Sequence, residues 1–168
     1  MALNLELKIK VNSRKYLLEK IKSSKAKYSK IINQKDVYYK IRKGLLKLRI
    51  ENGTYTLIKY LRDEKGKRWS NYHLLTLIGE NPESYLKDIF KIDIVVEKKR
   101  ELYMYKNTRI HLDSVKGLGN FLELESVVIN NKKESEIEFN EAVKFLDLDP
   151  TKQLKTSYKN LLKQKLSR

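Results

Sequence analysis

The chain has 168 residues, enough to bury one substantial core and too few to ask for two, so residues 1–168 read as one domain. Its 37 Lys and Arg stand against 21 Asp and Glu, a formal charge of +16, and it has no cysteine, which excludes disulfide stapling and thiolate metal sites. No apolar run is long enough to cross a bilayer, and the opening MALNLELKIK breaks its apolar residues with charges, so a cytoplasmic chain without a membrane partner is expected. The charge surplus points to an anionic ligand, phosphate first, with nucleic acid as a secondary partner.

In chain order, Leu3 to Val11 alternates Asn4, Glu6, Lys8 and Lys10 with apolar residues, the period of a strand with two chemically different faces. Asn12 or Ser13 then caps a helix whose stripe includes Leu17, Leu18, Ile21 and Tyr28. Further alternating strands are predicted over Leu45 to Glu51, with Lys47 and Arg49 on one face, over Tyr55 to Leu61, which carries Lys59, and more weakly over Arg68 to Leu74. Asn52-Gly53 between the first two is a hairpin signal. Asn81-Pro82-Glu83 reads as N-cap, N1 proline and a dipole-matched acid, opening a second helix that buries Tyr85, Leu86, Ile89 and Phe90. Ile94 to Arg100 sets Lys98 and Arg100 in phase with Ile94 and Val96. After it come Thr108 to Asp113, with Arg109, His111 and Asp113 on one face, and Phe121 to Val128, with Glu123 and Glu125. Lys106-Asn107 marks another turn, and helices over Asn140 to Leu146 and Ser157 to Leu166 end the chain. The basic stretch from Lys152 reads as a solvated helix face.

This order is α+β with antiparallel pairing. Four helices with apolar stripes need apolar surface to cover, which the strands supply if their apolar faces look outward. If the strands close into a barrel in that way, their polar faces line its interior; the ordinary alternative turns the apolar faces inward and the polar faces to solvent. Two cations ~4 Å apart repel by roughly 4 kcal/mol at an effective dielectric of 20, so such an interior calls for an anion. Carboxylates converging on the same space offer hard oxygen ligands that suit Mg²⁺ or Mn²⁺.

The residues resemble the CYTH, or triphosphate tunnel metalloenzyme, superfamily, and within it the CyaB-like class IV adenylate cyclases. Asn4-Leu5-Glu6-Leu7-Lys8 is similar to the family's Glu-x-Glu-x-Lys strand, Gln34 to Tyr39 to its Asp-x-Tyr element, and Leu46-Lys47-Leu48-Arg49 to its Leu-Arg-x-Arg strand. The block from Val96 to Glu125 combines Lys-x-Arg, an Asp ending a strand, Gly-Leu-Gly and Phe-x-Glu-x-Glu in the family's order, and Ser157-Tyr158 with Leu161-Leu162 resembles its C-terminal motif. The resemblance implies an α+β fold, a closed or nearly closed eight-stranded antiparallel β-barrel with a polar interior flanked by helices, and phosphate binding by Lys8, Arg49, Lys59, Lys98 and Arg100, joined by Lys10, Lys47 and Arg109. It implies metal binding by Glu6, Asp113, Glu123 and Glu125, and catalysis by Lys8, Lys98 and Arg100. Three departures stand out: Asn4 replaces the first glutamate, no Gly-Pro follows Lys59, and no Arg-x-Glu-x-Glu strand is recognisable around Arg68 to His73.

The implied reaction is conversion of ATP to cyclic AMP and pyrophosphate. The alternative is hydrolysis of inorganic triphosphate, thiamine triphosphate or a nucleoside triphosphate, and a further alternative, favoured by Asn4, is non-catalytic binding of polyphosphate or RNA. His111 reads as a polar wall residue, with a general base as the other reading. Trp69 and Tyr72 read as outer packing, with stacking on an adenine as theirs. Monomer and homodimer both fit.

Overall fold

The computed structural model describes residues 2–62, 69–129 and 131–167, without the side chains of 2, 3, 60–62 and 69–72. The expectations for the Trp69 and Tyr72 side chains therefore lie outside the described residues. The elements run β1 (Ala2–Lys10), α1 (Arg14–Lys22), β2 (Lys27–Tyr39), β3 (Leu45–Glu51), β4 (Thr54–Arg62), β5 (Trp69–Leu77), α2 (Pro82–Ile89), β6 (Ile92–Tyr105), β7 (Thr108–Val115), β8 (Gly119–Val127), α3 (Lys132–Phe145), a single 3₁₀ turn (Pro150–Lys152) and α4 (Tyr158–Leu166). The fold is α+β: an eight-stranded antiparallel sheet with four helices.

The strand order is β1-β5-β4-β3-β2-β6-β7-β8. β8, at the far end of that order, is hydrogen-bonded to β1 over Asn4–Lys10, whereas β1 meets β5 only through a short ladder pairing Ala2–Leu5 with Trp69–Tyr72. Local chemistry accounts for the corners. Asn52 (φ 47°) and Gly53 (φ 79°) both take the left-handed conformation that the tight β3–β4 turn requires, and Lys106 (φ 51°) does the same between β6 and β7. Ser13, Asn81, Asn131 and Ser157 cap the four helices through their side-chain oxygens.

Two elements depart from the sequence reading, and one of them, β2, is a strand it does not predict: Tyr28, expected on the stripe of the first helix, lies in it and is exposed. The third helix begins at Lys132 rather than near Asn140, because its early turns, KKESEIE, bury little beyond Ser135 and carry no apolar stripe. β2 hardly alternates at all: its first five residues, Lys27–Ile31, are exposed on both faces, and only from Gln34 does the strand become buried.

The apolar faces of β1, β7 and β8 look outward. Leu5, Leu7, Ile110, Leu112, Leu122 and Leu124 form the main core with Leu17 and Ile21 of α1 and with Phe139 and Ala142 of α3. α2 lays Leu86 over Val37, Tyr39, Leu46 and Leu48 of β2 and β3. A third cluster has the opposite sense: Tyr38, Val96, Val115 and Phe121, in phase with the ionic residues of their strands, pack against Tyr158 of α4. At that end α4 covers the inner faces of the strands.

Phe139 is fully buried where α3 meets β7 and β8. Phe139→Ala is expected to lower the unfolding free energy in urea by about 3–5 kcal/mol, a cavity cost, and a loss under about 1 kcal/mol would show that α3 does not cover the sheet as described.

Candidate functional site

The inner faces surround a cavity of about 500 Å³. Seven cationic side chains line it, Lys8, Lys30, Lys47, Arg49, Lys98, Arg100 and Arg109, beside five carboxylates, Glu6, Asp36, Glu51, Glu123 and Glu125. The polar faces of β1, β3, β6, β7 and β8 thus converge as their alternation predicts, with Lys8, Lys47, Lys98 and Arg100 all buried.

Two expected residues lie elsewhere. Lys59 is exposed on the opposite side of β4, because Thr56 and Ile58 are the residues of that strand that line the cavity. Lys10 is in phase with Lys8 but exposed, since the cavity ends before it: its partner across β8 is Phe121, which packs on Tyr158.

The same small arrangement of side chains occurs twice. Asp36 on β2 stands directly opposite Arg49 on β3, and Asp113 on β7 directly opposite Arg100 on β6. The carboxylate of Asp36 accepts from Arg49 Nε at 2.9 Å and Nη2 at 3.0 Å, and that of Asp113 from Arg100 Nε and Nη2, both at 2.6 Å. A lysine lies two residues before each arginine: Lys47 Nζ is 2.8 Å from Asp36, and Lys98 Nζ is 3.6 Å from Asp113. Each forked pair fixes a guanidinium that would otherwise be free to turn, and each buried acid offsets part of the repulsion among the cations. Arg100 extends the second group to Glu123 at 3.5 Å.

The protonation states follow from these contacts. Burial alone would raise Asp36, but Arg49 and Lys47 hold it well below the usual carboxylate range, and Lys98 and Arg100 do the same to Asp113. Glu123, raised by burial but pulled down by Arg100 and Lys98, sits at about 2. Lys47 is lowered to about 7, by burial first and then by Arg49, against the pull of Asp36. His111 is buried opposite Glu123, and burial and Arg100 push it well below its ordinary value, so it is a neutral wall of the cavity.

Glu6 and Glu125 face each other across β1 and β8, with Glu123 two residues along. Glu125 receives hydrogen bonds from Asn4 Nδ2 and, at 3.2 Å, from Arg109 Nη1. Among the described residues no group of three or more His, Asp or Glu is gathered closely enough to hold a metal ion by itself. This donor set still fits Mg²⁺ or Mn²⁺, which commonly take one or two carboxylates and complete their shell with phosphate oxygens and water. Asp113, expected among the ligands, instead has both oxygens engaged by Arg100, and one of them also accepts from Tyr158 at 2.9 Å.

Asp36, Gln34 and Tyr158 stand in the motifs of the sequence, and Glu51 on the face of Lys47 and Arg49, but the sequence reading gives none of them a role in the site, and it passes over Lys30. The first was legible in principle, because Gln34, Asp36 and Tyr38 alternate through Gln34-Lys35-Asp36-Val37-Tyr38. Tyr158 could not be placed, since its role depends on where α4 docks.

The class the fold defines is an antiparallel eight-stranded sheet whose inner faces wall a polar cavity. Residues 2–158 match the CYTH domain, and the chain belongs to the CYTH domain family. It is 26% identical over 172 residues to a Methanocaldococcus jannaschii protein provisionally named an adenylate cyclase, covering 95% of this chain and 98% of that one. The fold is similar to that of a Pyrococcus horikoshii protein, with TM-score 0.79, 25% identity and coverage of 95% and 99%. It is also similar to a Hippeastrum protein provisionally named an adenylyl cyclase and described as having a dominant triphosphatase activity, with TM-score 0.69, 13% identity and coverage of 98% and 96%; this last likeness concerns the fold alone.

The lowered Lys47 has a consequence for stability. Between about 7 and the ordinary lysine value the folded chain binds fewer protons at this group than the unfolded chain, so the group's contribution to stability rises with pH across that window. The unfolding free energy of the wild type is expected to climb more steeply between pH 7 and 9 than that of Lys47→Met; parallel slopes would show that the ammonium keeps its proton in the fold.

Proposed function

We propose that the protein is a divalent-metal-dependent enzyme acting on a triphosphate held in this cavity, and that its reaction is conversion of ATP to cyclic AMP and pyrophosphate in the cytoplasm. The observation that carries the reading is the doubled Lys-x-Arg and Asp arrangement facing one 500 Å³ space, in the range of small-ligand sites. Two fixed guanidiniums with a lysine each suit a chain of phosphates better than a single anion. On this reading the short β1–β5 ladder completes a barrel, with the cavity as its tunnel.

Apolar side chains favour a substrate with an organic part. Ile32 and Leu102 stand on β2 and β6, and Ile58 faces Leu74 across β4 and β5, all lining the same cavity. Inorganic triphosphate has no use for such surfaces, whereas a nucleoside does. The near full-length similarity to the Methanocaldococcus protein supports the same choice.

In the proposed reaction the ribose 3′-oxygen attacks the α-phosphorus, the bond from that phosphorus to the bridging oxygen breaks, pyrophosphate departs, and the 3′-hydroxyl proton passes to solvent. Lys8, Lys98 and Arg100 stabilise the charge growing on the departing pyrophosphate, and Arg49 and Lys47 hold the far end of the chain in line. Lys30 and Arg109 add positive charge to the same walls. Glu6 and Glu123 would hold the metal, joined by Glu125 on exchange of its contact with Asn4 or Arg109, and the metal when bound supplies Lewis-acid neutralisation of the phosphate oxygens. His111, being neutral, shapes the wall without adding charge.

The second reading is a triphosphatase, in which water attacks a terminal phosphorus. It uses the same side chains, and the activity described for the Hippeastrum protein keeps it in view.

One assay separates the two. The protein is incubated with ATP and, separately, with inorganic triphosphate in Mg²⁺ or Mn²⁺, and the products are resolved by chromatography. Cyclic AMP with pyrophosphate is the expected result; orthophosphate from either substrate would replace the cyclase with the triphosphatase. Glu123→Gln and Lys8→Ala are expected to lose turnover while keeping the wild-type circular dichroism spectrum, and activity within a few-fold of wild type would remove these residues from the mechanism.

A further inference from the structure

Tyr158, the first residue of α4, is buried and lines the cavity, although it comes from outside the sheet. Its hydroxyl donates to Asp113 Oδ2 at 2.9 Å. Its ring lies under two ammonium groups, with Lys8 Nζ 4.6 Å and Lys98 Nζ 5.2 Å from the centroid. Phe121 supports the ring edge-on at 5.0 Å. One side chain thus touches groups from β1, β6 and β7.

The ring solves a particular difficulty. Two lysines aimed at one anion repel each other; Asp113, 3.6 Å from Lys98 Nζ, offsets part of that repulsion, and a further carboxylate would cancel the charge they need for phosphate. The face of an aromatic ring attracts ammonium without adding net negative charge. The hydroxyl stays protonated, because burial, Glu123 and Asp113 raise it well above the usual tyrosine range, so it remains a donor to Asp113 and supports the carboxylate that orients Arg100.

The ring's place is fixed by contacts other than its own. Leu154 N donates to Lys8 O at 2.7 Å and Gln153 Nε2 to Glu6 O at 3.3 Å, so the segment leading to α4 is fastened to β1 beside the lysine in question. Lys159 and Lys163 both pair with Asp93 at the start of β6, the former at 2.7 Å.

We propose that Tyr158 is a positioning residue of the phosphate site: its ring holds the ammonium groups of Lys8 and Lys98 in place without adding negative charge, and its hydroxyl steadies Asp113 and through it Arg100. The proposal rests on the reading of the cavity as a triphosphate site. It divides the side chain into two halves with different kinetic signatures, the ring governing affinity and the hydroxyl governing turnover.

The test compares wild type, Tyr158→Phe and Tyr158→Leu, with Tyr158→Met as the ringless variant if the leucine protein does not fold. Inorganic triphosphate is the calorimetric probe, ATP turnover supplies KM and kcat, and ring-current shifts of the lysine ε-methylene signals in NMR report the ring geometry without reference to activity. Tyr158→Phe is expected to keep the shifts and bind triphosphate within about two-fold of wild type while turning over several-fold more slowly at unchanged KM. The ringless variant is expected to lose the shifts and bind about ten-fold more weakly. A ringless protein that loses the shifts yet binds as wild type overturns the proposal, as does a phenylalanine variant that behaves like the ringless one. Failure of all three proteins to bind triphosphate overturns the reading of the cavity and the proposal with it, a result recognised by its independence of residue 158.

Discussion

Several positive side chains share one cavity, and the structure depends on how they are kept there. An isolated buried cation is strongly unfavourable, and a group of them more so, because burial and mutual repulsion act in the same direction. The chain answers with acids in register: Asp36 opposite Arg49 and Asp113 opposite Arg100, each a direct cross-strand partner. A forked arginine–carboxylate contact is directional as well as attractive, so the pairs that make burial tolerable also fix where the guanidiniums point. The cavity is therefore organised before any ligand enters.

That arrangement changes the meaning of the chain's net charge. The formal +16 suggests a site saturated with positive charge, yet the cavity lining carries seven cations against five carboxylates, with Asp113 close behind them. Most of the surplus lies elsewhere, on exposed lysines such as those at 22, 25, 27, 40, 43 and 91. Local position governs the site, and the total describes mainly the outer surface. The internal acids also relieve much of the repulsion that a bare cluster of lysines and arginines would suffer.

The helices serve the cavity as well as the core. α1, α2 and α3 cover the outward apolar faces, which frees the inner faces to be polar. α4 acts differently, closing over inward-phase residues and delivering Tyr158 to the ionic cluster. The polar part of the interior supplies little dry core, which comes instead from the outward faces under the helices and from the inward cluster beneath α4. Exposed apolar residues collect where this coat is thin, as at Leu75 and Ile78 beyond the reach of α2.

Much of the fold was legible because alternation with period two writes both faces of a strand into the sequence, as in Glu6-Leu7-Lys8 and Arg109-Ile110-His111. The cap at Asn81 and the Asn52-Gly53 turn were equally plain, and the first cap was narrowed to Asn12 or Ser13, since each depends on a few neighbouring residues. Lys59 shows the limit: its face is set by the register of β4 in the sheet, and the similarity of its motif could not reveal that Thr56 and Ile58 take the inner positions. Asp36 and Tyr158 show the same limit from the other side. The sequence by itself determined which side chains share a strand face, because that is a property of the extended backbone. Only the tertiary structure decided which faces meet, which acid is committed to which arginine and where the last helix lands, because those depend on contacts between residues far apart in the chain.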